Sequence, residues 1–108
     1  MKHKVIYAPE ALDDLRGIRR YIAEELMAEI AARNLAKQIR DEIRSLASMP
    51  NRYACVSWEP WHSMGVRHFP VKNYAVFYTV DTDSRTVTII RIIYGGRDIE
   101  HLAQEEKD

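Results

Sequence analysis

The sequence holds a single cysteine, Cys55, so no disulfide can close within the chain, and a reducing compartment is expected. No uninterrupted apolar run approaches the roughly 18 residues that a membrane-spanning helix needs. The opening stretch MKHKVIYAPEA has basic residues but no apolar core of signal length. A cytoplasmic protein without a membrane partner is therefore expected. The four glycines form no phosphate-cradling loop, and neither metal-ligand spacing nor a nucleophile triad is found, so no cofactor and no metal are expected. Net charge is also missing, since 16 basic and 16 acidic groups balance. By segment the charge is +1 over residues 1–48, +2 over 49–98 and −3 over 99–108, an acidic tail that offsets a weakly basic remainder. A nucleic-acid grip dominated by phosphate contacts normally shows a larger positive excess.

What is present is an ordinary globular composition, 46% hydrophobic and 30% charged, in 108 residues. That length suits one domain, 1–108, burying roughly two thirds of its unfolded surface. Residues 4–8, KVIYA, read as a strand, and Pro9 suits the first turn of a helix whose positive end is complemented by Glu10, Asp13 and Asp14. Leu12, Leu15, Ile18 and Ile22 then draw one apolar stripe. A second periodic segment begins near Ala28 and ends at Met49-Pro50. It places Leu35, Ile39, Ile43 and Leu46 on one face, with Arg33, Lys37, Arg40 and Arg44 around it. The short join at 25–27 predicts an antiparallel helical hairpin.

After Pro50 comes NRYACVSWEPWHSMG, without clear period and holding both tryptophans; loops of this length are often functional. VRHFPV, YAVFYTV and TVTIIRII follow as strands, the last two joined by the polar loop DTDSR. The order predicts an α+β fold: an N-terminal strand, then an antiparallel helical hairpin packed on one face of a largely antiparallel sheet of three or four strands. TVTIIRII is expected at the centre, and the sheet face opposite the helices is expected to be free for partners.

The stretch RIIYGGRD, residues 91–98, puts charge where a buried strand ends. Strict alternation sets Arg91 with Val87, Ile89 and Ile93, and Ile90, Ile92 and Tyr94 on the other side. Arg91 then either pairs with an acid such as Asp81 or Asp98, or stands as a cation on the open face. Gly95 and Gly96 are expected to turn the chain sharply and let Arg97 project, while Asp98 caps a turn or a short helix over 99–104. Tyr74, Phe77 and Tyr78 read as core or cross-strand aromatics. His68 falls on one side of its strand with Val66 and Pro70, and Arg67 on the other with Phe69, so the two cannot share a cleft without a bulge. Trp58, Trp61 and His62 form either a partner surface or a loop folded back over the core.

YAPEALDDLRGIRRYI, then a long second helix ending in SLASMP, then GVRHFPVKNYAVFYTVD and TVTIIRIIYGGRD: in this order and spacing the chain resembles toxins of the RelE/ParE superfamily of bacterial type II toxin-antitoxin modules. The resemblance covers most of the chain. It implies a growth-inhibiting toxin silenced by a cognate antitoxin, with which it forms an oligomer. Members similar to RelE cleave messenger RNA in the ribosome with clustered lysines and arginines and a tyrosine or histidine near the C-terminus; members similar to ParE poison DNA gyrase and lack that set. Here Ala75 stands where the RelE-like pattern has an arginine, the pair of lysines is absent around Arg67 and His68, and the C-terminal tyrosine is missing. A ribonuclease could be staffed only in part, with His68 as base, Arg67, Arg91 and Arg97 on phosphate and Tyr94 as acid. The ParE-like reading, a gyrase inhibitor without chemistry of its own, is favoured, with the ribosome and its mRNA as the alternative partner and an inactive interaction module as a third reading. Target-binding candidates are Arg67, Tyr74, Tyr94, Arg97, Trp58 and Trp61. The antitoxin is expected to wrap the hairpin at Leu15, Ile18, Ile22, Leu35 and Ile39.

Overall fold

Pro9 opens the first helix because its missing N–H would fall among the unpaired donors of a helix start in any case. The computed structural model describes residues 2–95. In order, β1 (Lys4–Tyr7) leads into α1 (Pro9–Arg20), which widens into a π-helical turn over Tyr21–Glu25. Then α2 (Glu29–Arg44) tightens into a 3-10 turn over Ser45–Ala47, and β2 (Arg67–Val71), β3 (Tyr74–Asp81) and β4 (Thr86–Tyr94) follow. Glu10 lies in the first turn of α1 and Arg19 and Arg20 in its last, each sign matched to the helix dipole. Met27, with φ of 52°, reverses the chain between the two helices.

The buried spine of α1 is Ala11 and Leu15, with Ile18 packed alongside; Leu12, expected in that stripe, is exposed. Steps of four and three residues from Ala11 keep one face as well as steps from Leu12 do, and the sheet selected the smaller residue for close approach. On α2 the buried positions are Ala32, Ala36, Ile39 and Ile43. These helices cover one face of a four-stranded sheet ordered β1-β4-β3-β2, in which β1 runs parallel to β4 and the other pairs are antiparallel. Phe69, Val71, Val76, Tyr78, Val87, Ile89 and Ile92 meet the helices there. Burying each such side chain contributes about 1.5–3 kcal/mol. Between β3 and β4, Asp81 Oδ1 accepts the N–H groups of Asp83 (3.1 Å) and Ser84 (3.3 Å), an Asx turn that closes the hairpin.

The alternation expected along β4 does not hold. Phe77 is opposite Arg91 but Tyr78 is opposite Ile89, so Ile90 is an extra residue, a β-bulge. Past the bulge the faces exchange: Ile92 joins Val87 and Ile89 beneath the helices, and Ile93 joins Ile90 on the opposite face.

Nor is that opposite face open. The segment 51–66 folds back over it, setting Val56, Trp61 and Val66 against Ala75, Phe77 and Ile93, with Trp58 and Ile90 at the margin. The loop is held at its base by Tyr78, whose hydroxyl donates to the Pro50 carbonyl (2.9 Å), and by Arg67, whose Nη1 donates to the Tyr53 carbonyl (2.6 Å). It is closed by a backbone bond from Val56 N–H to the Val66 carbonyl at 2.9 Å. Of the two readings of the tryptophan loop, the structure takes the second. Gly95 also differs from expectation: it lies outside the left-handed region, and its want of a Cβ serves a close approach. A Cβ there would come within 3.2 Å of the Asn73 carbonyl oxygen, which already accepts the Gly95 N–H at 2.8 Å. Gly96, Arg97, Asp98 and the expected helix 99–104 lie outside the described residues.

Candidate functional site

β1 ends before β4 does. The last bond along that edge runs from Ala8 N–H to the Ile89 carbonyl (2.8 Å), after which the chain turns into α1 and β4 continues to Tyr94 without β1 beside it. An exposed strand edge is a liability unless something covers it. Asp14, on α1, supplies the cover: its Oδ2 accepts the Ile92 N–H at 2.9 Å and Arg91 Nε at 2.7 Å, and its Oδ1 accepts Arg91 Nη2 at 3.1 Å. Both side chains are about five-sixths buried. Charge-assisted, two-pronged pairing of this kind is the strong form of hydrogen bond. Asp14, which the sequence marked only as a complement to the helix dipole, therefore pairs with Arg91 where Asp81 was expected, while Asp98 lies outside the described residues.

Beside this pair opens a groove of about 1010 Å³ between α1, the π turn, the start of α2 and the end of β4. Ile18, Tyr21, Ile22, Leu26 and Leu35 form its apolar wall, while Asp13, Asp14, Lys72 and Arg91 set charges at its mouth. Tyr74 and Tyr94 stand on its rim, ring centroids 5.6 Å apart and tilted by 66°. Burial, with smaller contributions from Tyr94 and Tyr21, pushes the Tyr74 hydroxyl above its ordinary pKa, so it stays a neutral donor.

The candidates for antitoxin contact divide between this groove and the core. Ile18, Ile22 and Leu35 line the groove; Leu15 and Ile39 are buried beneath the sheet and cannot present themselves to a partner. Among the target candidates, Tyr74 and Tyr94 are on the rim, Arg67 is committed to the loop backbone, and Arg97 lies outside the described residues. Trp61 is 2% exposed and packs on Phe77 with centroids 4.8 Å apart, so its ring faces inward; Trp58 is half-buried beside it.

Of the ribonuclease set, His68 and Arg67 are not brought together with each other or with Arg91 and Tyr94, which line the groove; Arg97 lies outside the described residues. His68 lies flat on Phe77 (5.6 Å, 11°) under the edge of Trp58 (5.9 Å), on the loop-covered face. Its Nδ1 is buried and unpartnered among the described residues, and burial holds its pKa below the usual histidine value. Arg67 reaches the other way, Arg91 is held by Asp14, and Tyr94 is exposed at the strand's end. Among the described residues no group of three or more His, Cys, Asp or Glu could hold a metal, and no helix is long and apolar enough to cross a membrane.

Residues 5–99 match the family described as ParE toxin of type II toxin-antitoxin system, parDE. The chain belongs to that family. No curated protein matches it. Among solved structures, the ParE-family fold seen here is similar to the chromosomal ParDE system of P. aeruginosa. The TM-score is 0.70 at 20% identity, over 86% of this chain and 96% of that one. It is similar also to the RelBE2 toxin-antitoxin complex of Mycobacterium tuberculosis (TM-score 0.64, 18% identity, 87% of this chain and 92% of that one). A mutant of the E. coli toxin RelE in its free state gives a TM-score of 0.66 at 10% identity, over 99% of this chain and 98% of that one. At such identities these likenesses establish a shared fold. Within this ParE-family toxin, Ala75 sits on the loop-covered face opposite Pro70 and Ile93, 9% exposed. An arginine in its place would have to displace the tryptophan loop to reach water.

Proposed function

We propose that this toxin inhibits growth by binding DNA gyrase, without covalent chemistry of its own, and that a cognate antitoxin holds it silent. The observation that carries the reading is the dispersal of the candidate catalytic groups. A general base must reach the proton that it abstracts, and cations must surround the developing charge. Here the imidazole of His68 is neutral, half-buried under a tryptophan and separated by the sheet from Arg67, while the charge of Arg91 is already balanced by Asp14. The match to the ParE branch of the family supports the same choice.

The antitoxin is assigned to the groove. Its apolar wall of Ile18, Tyr21, Ile22, Leu26 and Leu35 suits one face of an amphipathic helix. Gyrase supercoiling of plasmid DNA, and message cleavage on translating ribosomes, are to be measured with the same preparation of toxin. Loss of supercoiling with accumulation of cleaved DNA is expected, with messages left intact. Unimpaired supercoiling beside cut messages would instead establish the ribonuclease, and inactivity in both, in cells that keep growing, would leave an interaction module.

A further inference from the structure

Helix α2 carries four cations in register: Arg33, Lys37, Arg40 and Arg44 follow at steps of four, three and four residues and so share one exposed face. The row is about 16 Å long at 1.5 Å per residue. Asp41 lies on its shoulder and bonds both Lys37 (2.7 Å) and Arg44 (3.4 Å), which are still 72% and 78% exposed. No acid among the described residues pairs with Arg33 or Arg40. Glu42 falls on another side of the helix, while Glu29, four residues before Arg33, shares its face. After Asp41 and Glu29 are counted, the row keeps a charge of +2 on a straight, rigid support.

We infer that this row is a docking surface for the sugar-phosphate backbone of duplex DNA, an accessory contact made while the toxin occupies its target. The inference rests on the gyrase reading for its biological setting, but the surface itself can be tested with DNA alone. Charge complementarity argues for it: along 16 Å of duplex the two strands carry about ten phosphates and wind about half a turn, and those that face the row come within reach of its four long side chains. No aromatic side chain lies on α2, so the helix offers no stacking platform of the kind that holds single strands. Directed at phosphates rather than base edges, the contact reads no sequence. The balanced charge of the whole chain keeps the contact weak, in the range of non-specific binding, about 10⁻⁴ to 10⁻⁶ M at physiological salt.

The test is binding of the purified toxin to a labelled DNA duplex of random sequence, followed over rising salt. Each cation that neutralises a phosphate contributes about 0.9 to the slope of log affinity against log salt, so a slope of about −3 to −4 is expected. Arg33→Gln with Arg40→Gln should reduce its magnitude by about 2 with the melting temperature within a few degrees of wild type, since neither side chain forms an ion pair among the described residues; Arg33→Lys with Arg40→Lys should preserve it. An unchanged slope in the glutamine variant, or no binding at 50 mM salt, overturns the inference, and tighter binding of single-stranded RNA through the same residues overturns its assignment to DNA. Should gyrase prove not to be the target, the duplex measurement still decides whether the surface exists.

Discussion

Asp14 and Arg91, 77 positions apart in sequence, meet through two hydrogen bonds of 2.7 and 3.1 Å, and the same carboxylate closes the β4 edge at Ile92. One side chain thus joins the first helix to the last strand where β1 has run out. Removing it leaves a guanidinium mostly shielded from water and a backbone donor without a partner. Asp14→Ala should therefore cost about 2–4 kcal/mol, toward the lower end of what breaking a buried pair costs because some exposure remains. Asp14→Asn, which keeps an acceptor, should lose less. Urea denaturation midpoints of the three proteins provide the check.

The two kinds of apolar residue on the hairpin predict opposite phenotypes. Leu15→Ala and Ile39→Ala remove core volume and should destabilise the fold by about 2–5 kcal/mol. Ile22→Ser and Leu26→Ser, at the groove wall, should change stability by less than about 1 kcal/mol yet weaken capture by the antitoxin. Thermal melts beside co-purification with the antitoxin would separate the classes. Equal destabilisation by all four would show that the groove is part of the core.

A similar contrast divides the aromatics expected to contact the target. Trp61→Ala should cost about 3–5 kcal/mol, because the indole fills the space between the loop and Phe77. Tyr94→Ala, at 51% exposure, should leave the melting temperature within a few degrees of wild type, and any loss of toxicity it causes would then report on contact with the target.

Acid should loosen the loop. Burial lowers the His68 pKa from its ordinary 6.5, so as pH falls the unfolded chain takes up this proton before the folded protein does. The contribution is constant above that value, is lost progressively as pH falls from 6.5 toward the folded pKa, and levels off below it. Urea midpoints at pH 7.5 and 5.5 should therefore differ more for the wild type than for His68→Phe, whose ring can still stack on Phe77. Identical differences would mean that His68 is not the group responsible.

Local sequence determined the elements of this protein. The four-and-three spacing of apolar residues made two helices, Pro9 and Met27 bounded the hairpin, and Asp81 closed the β3–β4 turn, because capping, periodicity and turn chemistry act within a few residues. The four cations of α2 are legible for the same reason. Tertiary structure decided what no window of sequence contains: which acid Arg91 meets, the bulge at Ile90 that exchanges the faces of β4, and the closure of the second face by the tryptophan loop. Trp58, Trp61 and His62 have no period to show which way they turn, and a bulge is set by how two strands pair, so only the packed chain could assign them. The groove, too, exists only where β1 ends short of β4, a relation between segments more than eighty positions apart.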